Sequence, residues 1–177
     1  MSSNKYFTGV GSRQTPEGLS PFISKIVTFL YTKNYILRSG GAEGADTFFE
    51  AGVPKGAEKE IYLPWKEFNN NKSTLYHITD EAKQLASQFH PIWDDLSYGA
   101  QLLHSRNMYQ VLGKNLDKPS SFLICWTKNG MLKGGTAQAM RLAIHYNIPI
   151  FNLGNKSHYT FIKDCIASDQ TFVKESV

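Results

Sequence analysis

Short apolar runs alternate with segments of helical periodicity along this 177-residue chain. The apolar runs have the length of buried strands. They are KYFTGVG (5–11), YILRSGG (35–41), EKEIYLPW (58–65), SSFLICWT (120–127) and IPIFNLG (148–154). The segments between them place apolar residues on one helical face, and they lie at 15–34, 42–56, 79–88, 94–113, 134–147 and 156–168.

Local signals set the expected helix ends. Thr15 before Pro16 predicts the start of the first helix, and Thr79 predicts the start of the 79–88 helix. Gly52 and Gly113 are the expected stops of the second and fourth helices. The residues between about 66 and 92 are otherwise polar and irregular, and they form an excursion from the strand–helix alternation.

This alternation predicts an α/β fold. We expect a single Rossmann-like domain over residues 1–177, with a parallel sheet flanked by helices on both faces and right-handed crossovers.

The composition narrows the function classes only slightly. A net charge of +4 and a pI of about 9.0 suit an anionic ligand, and they would also suit nucleic acid. The basic residues form no block, which argues against a nucleic-acid partner. No apolar run approaches 18 residues and no signal-peptide pattern opens the chain, so neither a membrane nor export is expected. Two cysteines forty residues apart favour a reduced, cytoplasmic setting.

Three glycine-bearing turns follow predicted strands, at GVGSR (9–13), SGGAEGAD (39–46) and KGGT (133–136). The carboxyl ends of parallel strands meet at one edge of the sheet, where ligands bind. Glycine permits close backbone approach, and a helix that begins there offers free N–H groups to an anion. The turns therefore predict an anion-binding crevice, although tight packing alone could explain any one of them.

Side chains near these turns supply further candidates. Hydroxyl donors and fixed positive charges come from Ser12, Ser39, Thr136, Arg13, Arg106 and Lys133. Neither a GxGxxG fingerprint nor a P-loop is present. Trp65, Tyr98 and Trp126 are the aromatic residues that could stack on a base. His104, two residues before Arg106 on a helix, is expected on a different face.

Metal and nucleophile motifs are missing from the sequence. The histidines have no HxH or HExxH spacing and the cysteines form no CxxC pair, so no metal site is predicted. No GxSxG elbow supports a serine hydrolase.

Five ordered motifs resemble those of the SLOG superfamily of Rossmann-like nucleotide-binding proteins, which includes DprA- and LOG-like members. The nearest branch consists of bacterial and phage proteins related to YspA. The resemblance covers about residues 5–153. Its motifs are GSR (11–13), GGAEGAD (40–46), PW (64–65), HSRNM (104–108) and KGGT (133–136).

The resemblance implies a pocket for a nucleotide or a nucleotide derivative, without a separate cofactor. In such a pocket the 40–44 glycines would shape a loop, residues 134–136 would hold a phosphate, and Arg13 and Arg106 would contact anions. Asp46 would cap backbone amides or touch a ribose hydroxyl. The predicted ligand-binding residues are Gly11, Ser12, Arg13, Ser39, Gly40, Gly41, Glu43, Gly44, Asp46, Trp65, Arg106, Asn107, Lys133, Gly134, Gly135 and Thr136.

One departure from the family pattern concerns catalysis. The LOG enzymes, which cleave N-glycosidic bonds, carry PGGxGTxxE with a catalytic glutamate. Here AQAMRLA follows Thr136 and supplies no acid. The remaining acids, without a motif to recommend them, are Glu43, Glu50, Asp94 and Asp95, so the catalytic residues are unknown.

The resemblance therefore favours a binding protein over an enzyme. Such a binding protein would sense or sequester an ADP-ribose-type or cyclic nucleotide signal, in a phage–host defence setting and as a homo-oligomer. Two alternatives stay open. One is a nucleotide N-glycosidase or phosphoribohydrolase, and the other is single-stranded DNA binding as in DprA.

Overall fold

Five parallel strands form the sheet of the computed structural model, which describes residues 5–173. They are β1 (Lys5–Gly11), β2 (Tyr35–Ser39), β3 (Lys59–Ile61), β4 (Phe122–Trp126) and β5 (Ile150–Asn152). Their order is β3-β2-β1-β4-β5, and every neighbouring pair is parallel. The predicted α/β, Rossmann-like fold with a parallel sheet is confirmed.

The helices are α1 (Ser20–Thr32), α2 (Ala45–Ala51), α3 (Asp80–Phe89), α4 (Tyr98–Leu112), α5 (Thr136–His145) and α6 (Lys156–Ala167). Thr79 begins α3 as predicted, since its hydroxyl accepts a hydrogen bond from the Ala82 amide at 3.2 Å. The prediction for Thr15 is wrong. A short 3₁₀ turn precedes α1, and the Thr15 hydroxyl donates to the Ser12 carbonyl at 2.6 Å instead.

Alternating side chains of β4 divide the apolar core into two layers. Phe122 and Ile124 pack in the layer that contains residues of α1, α2 and α6. Leu123 and Cys125 pack in the layer that contains residues of α3, α4 and α5. Because neighbouring side chains of a strand point to opposite faces, the sheet is covered by helices on both sides, as predicted.

The 66–92 excursion is more ordered than its composition suggests. Leu75 forms a parallel bridge with Tyr62, just beyond the end of β3. Ala82 and Ala86 of α3 are fully buried, and α3 lies against α4. Among the described residues, no helix is long and apolar enough to cross a membrane.

A buried arginine joins β2 to β3. The Arg38 side chain pairs with Glu60 at 3.0 Å between Nε and Oε2, and its Nη1 donates to the Lys118 carbonyl at 2.6 Å. The guanidinium also lies 3.9 Å from the centre of the Tyr6 ring. Tyr62 donates its hydroxyl to the same Glu60 oxygen at 2.6 Å. The buried positive charge is thus met by a carboxylate.

We expect Glu60→Gln to lower the free energy of unfolding by about 2–3 kcal/mol, because it leaves the Arg38 charge buried without a carboxylate. Urea denaturation at pH 7.5 measures the change. Glu58→Gln is the matched control, since Glu58 is exposed and only its backbone carbonyl accepts a hydrogen bond from Tyr31. Equal stability of the two variants would contradict a stabilising Arg38–Glu60 pair.

Candidate functional site

The strand order creates a crevice between β1 and β4. The chain leaves β1 towards β2 on one side and leaves β4 towards β5 on the other, so the two turns diverge at the carboxyl edge. A cavity of about 430 Å³ lies there. This volume lies within the ordinary range of small-molecule sites, about 300–1,000 Å³.

Most of the predicted ligand-binding residues line this cavity. The turn after β1, the helix α4 and the turn before α5 supply nearly all of them, and α2 adds one carboxyl. These residues are Gly11, Ser12, Arg13, Asp46, Arg106, Asn107, Lys133, Gly134, Gly135 and Thr136.

Three other predicted side chains lie away from it. Ser39 is fully buried, and its hydroxyl donates to the Gly9 carbonyl at 2.6 Å. Glu43 is exposed to solvent. Trp65 is 42% exposed and packs edge-on against Phe68, with ring centres 5.1 Å apart.

The glycines of the β2 turn serve internal packing. Gly44 has a φ of +79°, and a Cβ there would lie 2.6 Å from the Ser12 carbonyl oxygen. Gly41 has a φ of +67°, and its Cβ would lie 2.7 Å from a Leu63 methyl group. Gly40 lies against Arg106. The close-packing explanation therefore accounts for this turn, which reaches the cavity itself only through neighbouring residues.

Sequence reasoning missed one face of α4. Ala100, Leu103, His104 and Gln110 line the cavity together with Asn107, at intervals of three and four residues that place them on one side of the helix. Helical spacing counted from Asn107 would have found them. The remaining unpredicted lining residues are Val10, Gln14, Ala42 and Ala139.

His104 and Arg106 leave α4 on different faces, as expected from their spacing of two residues. His104 belongs to the cavity face of α4, whereas the Cα of Arg106 lies outside that face. The long Arg106 side chain nevertheless reaches the β2 turn, so both residues line the cavity.

The aromatic candidates for stacking do not line the cavity. Tyr98 is 66% exposed, and Trp126 packs against the apolar layer that contains α1, α2 and α6. Among the described lining residues, the one ring is that of His104. A ring bound in the cavity would therefore meet His104 and the aliphatic side chains of α4.

Arg106 lies in the cavity wall with 5% of its surface exposed. Its Nη1 donates to the carbonyls of Gly40 and, at 3.3 Å, Tyr62, while its Nε lies 3.1 Å from Asn107 Oδ1. Within residues 5–173, no carboxylate forms an ion pair with it. Burial lowers the pKa of Arg106 to about 10, so the side chain stays charged at neutral pH.

Asp46 is the one lining residue that carries a carboxyl group, in the part of the chain described. It is 4% exposed and accepts a hydrogen bond from the Ala42 amide at 3.2 Å. Burial raises the pKa of Asp46 to about 6, against the opposing effect of the Arg106 charge. Asp46 thus holds a backbone amide of the turn, which was one of its two expected roles.

The other acids considered for catalysis lie elsewhere. Glu43, Asp94 and Asp95 are exposed, and Glu50 pairs with Lys59 at 3.1 Å. None of them lines the cavity within the described residues.

The remaining electrostatics of the cavity are positive. Arg13 and Lys133 are exposed at its rim, and no side chain caps the start of α5. Burial, with the neighbouring charges of His90 and Arg106, lowers the pKa of His104 to about 4, so that ring is neutral at pH 7. Three basic side chains therefore face a single carboxyl, a balance that suits an anion.

No group of three or more potential metal ligands occurs among residues 5–173. No family model, curated protein or solved structure matches the chain. The SLOG resemblance therefore stays a prediction that rests on the five motifs.

We expect Asp46→Asn to change how stability depends on pH. Because folding raises the pKa of Asp46 from 3.8 to about 6, the native state holds a proton that the unfolded state has released between these values. The wild-type free energy of unfolding should therefore fall as pH rises through this window, by about 2–3 kcal/mol relative to the variant.

Urea denaturation at pH 4.5 and pH 7.5 measures this difference. His104 titrates with the opposite sign in the same range, but it does so in both proteins and cancels. A difference between wild type and Asp46→Asn that does not change with pH would contradict the buried, partly protonated carboxyl.

Proposed function

We propose that this protein binds a nucleotide-type ligand in the cavity between the β1 and β4 turns, and that an anionic group of the ligand lies against Arg106. The observation that supports this most strongly is the buried guanidinium at a cavity wall without a carboxylate partner. Burying a charge is costly unless an opposite charge or a full set of hydrogen bonds meets it.

The two buried arginines of the chain illustrate the difference. Arg38 is met by the Glu60 carboxylate at 3.0 Å, beside Gly113 at the end of α4 and away from the cavity. Arg106 meets only neutral oxygens at hydrogen-bonding distance, and Asp46, the acid whose charge acts on it, forms no ion pair with it among the described residues. A phosphate or carboxylate of a ligand would supply the missing charge.

The turn before α5 supports a phosphate in particular. Gly134 has a φ of +75°, and Gly135 begins α5 without a side-chain cap. Free amides at a helix start bind phosphate well, and Ser12 and Thr136 add hydroxyl groups nearby. Along α4, Ala100 and Leu103 offer an apolar wall for the base.

The finer parts of the proposal rest on the motif resemblance alone. An ADP-ribose-type or cyclic signal is the proposed ligand, and sensing or sequestering it in phage–host defence is the proposed role. A cytoplasmic location and a homo-oligomeric state belong to the same proposal.

A nucleotide N-glycosidase is the second candidate, and Asp46 favours it. A carboxyl with a pKa of about 6 can exchange protons near neutral pH, as a general acid or base must. Incubation with AMP, followed by chromatography for adenine and ribose phosphate, tests this candidate. Product that disappears with Asp46→Asn would favour the enzyme, and AMP recovered intact would exclude cleavage of this substrate.

We expect Gly135→Val to weaken binding of ADP-ribose or AMP at least about tenfold, ~1.4 kcal/mol, because the new side chain enters the cavity. Gly135 has a helical φ of −61° and open space around its Cβ position, so the fold should tolerate valine. Gly41→Val would be a poor test, since its positive φ and the nearby Leu63 predict a folding defect.

Isothermal titration calorimetry measures the affinities, with adenosine as the uncharged comparison. Gly18→Val is the matched control, because Gly18 also has open space around it and lies outside the cavity. Unchanged affinity in a folded Gly135→Val protein would show that the nucleotide binds elsewhere. If wild type binds neither ADP-ribose nor AMP, the proposed ligand class is wrong.

A further inference from the structure

We infer that Gln110 is a positioning residue of the cavity, because its neutral amide orients Arg106 without cancelling the guanidinium charge. This inference rests on the proposed function, namely binding of an anion at Arg106. It adds the reason why that arginine is free to bind an anion and Arg38 is not.

The Gln110 amide lies in the cavity wall, in contact with Arg106, Asn107 and Gly40. Gln110 is 1% exposed and lies one helical turn beyond Arg106 on α4. With the amide oriented to satisfy its neighbours, Oε1 accepts from Arg106 Nε at 3.2 Å and from the Gly40 amide at 3.1 Å. Its Nε2 then donates to Asn107 Oδ1 at 3.3 Å.

Two further contacts fix this position. The backbone carbonyl of Gln110 accepts a hydrogen bond from the Thr8 hydroxyl of β1 at 2.6 Å. A Cβ on Gly40 would overlap the end of the Gln110 side chain and would also lie 2.7 Å from Arg106 Nη1. Gly40 therefore lacks a side chain because Gln110 and Arg106 occupy that space.

The Nε atoms of the two buried arginines are contacted by different groups, a carboxylate in one case and a neutral amide in the other. Arg38 Nε lies 3.0 Å from a glutamate oxygen of Glu60, whereas Arg106 Nε lies 3.2 Å from the amide oxygen of Gln110. Glutamate and glutamine have the same shape, so a glutamate at position 110 could make the same contact with Arg106, while losing the hydrogen bond to Asn107 Oδ1. It would neutralise Arg106 and remove the attraction for an anion.

The decisive variant is Gln110→Glu. We expect it to unfold at a urea concentration equal to or above that of wild type at pH 7.5, because the new ion pair with Arg106 offsets the lost hydrogen bond to Asn107. We expect its affinity for ADP-ribose, measured by calorimetry at the same pH, to fall at least tenfold. A purely structural role for Gln110 would not separate the two readouts in this way.

Two comparison variants sharpen the test. Gln110→Met keeps the length of the side chain and removes its polar atoms, so it should lower both stability and affinity. Glu60→Gln makes the reverse exchange at Arg38, so it should lower stability and leave affinity for ADP-ribose unchanged.

The outcomes separate this inference from the proposed function. If wild type binds ADP-ribose and Gln110→Glu binds it equally well, the inference is wrong and the proposed function stands. A Gln110→Glu protein that does not fold would also overturn the inference, because the carboxylate would then fail to pair with Arg106. If wild type binds neither ADP-ribose, AMP nor inorganic phosphate, both fail together.

Discussion

Burying a guanidinium away from water costs several kcal/mol unless an anion or a full set of acceptors meets it. In this fold the Arg106 side chain spans from α4 to the β2 turn, where it donates to the Gly40 carbonyl. This one side chain constrains its neighbours at the carboxyl edge of the sheet. It requires glycine at position 40, fixes the Gln110 amide beside the guanidinium, and leaves one strong positive charge at the wall of an open cavity.

The fold and the site are coupled through a few close contacts between turns. The Ser12 carbonyl accepts from the Ala45 amide at 3.3 Å, which holds the β1 turn against the start of α2. On the other side, the Asn107 amide donates to the Gly135 carbonyl at 3.3 Å and ties α4 to the turn before α5. The turns that border the cavity are therefore held in place through backbone carbonyls, and its charge comes from a few side chains.

Local patterns were enough to predict the sheet and most helices from the sequence. Short apolar runs located the five strands, and Thr79 located the start of α3. The helix start predicted at Thr15 was wrong because the Thr15 hydroxyl donates to the Ser12 carbonyl instead of capping a helix. The path of the turn determines this contact, and local residue preference does not. The site residues in glycine turns were predictable for the same local reason. The importance of Gln110 was not, since it depends on contacts with Gly40, seventy residues away in the chain.

The most direct test of the central claim observes the guanidinium itself. The chain has four arginines, so ¹⁵N-arginine labelling gives a small set of Nε–Hε signals, which Arg106→Lys and Arg38→Lys assign. On titration with ADP-ribose or AMP, the account predicts a large shift and slower hydrogen exchange for Arg106, with little change for Arg38. An Arg106 signal that does not move, while only the exposed Arg13 responds to the added nucleotide, would contradict it.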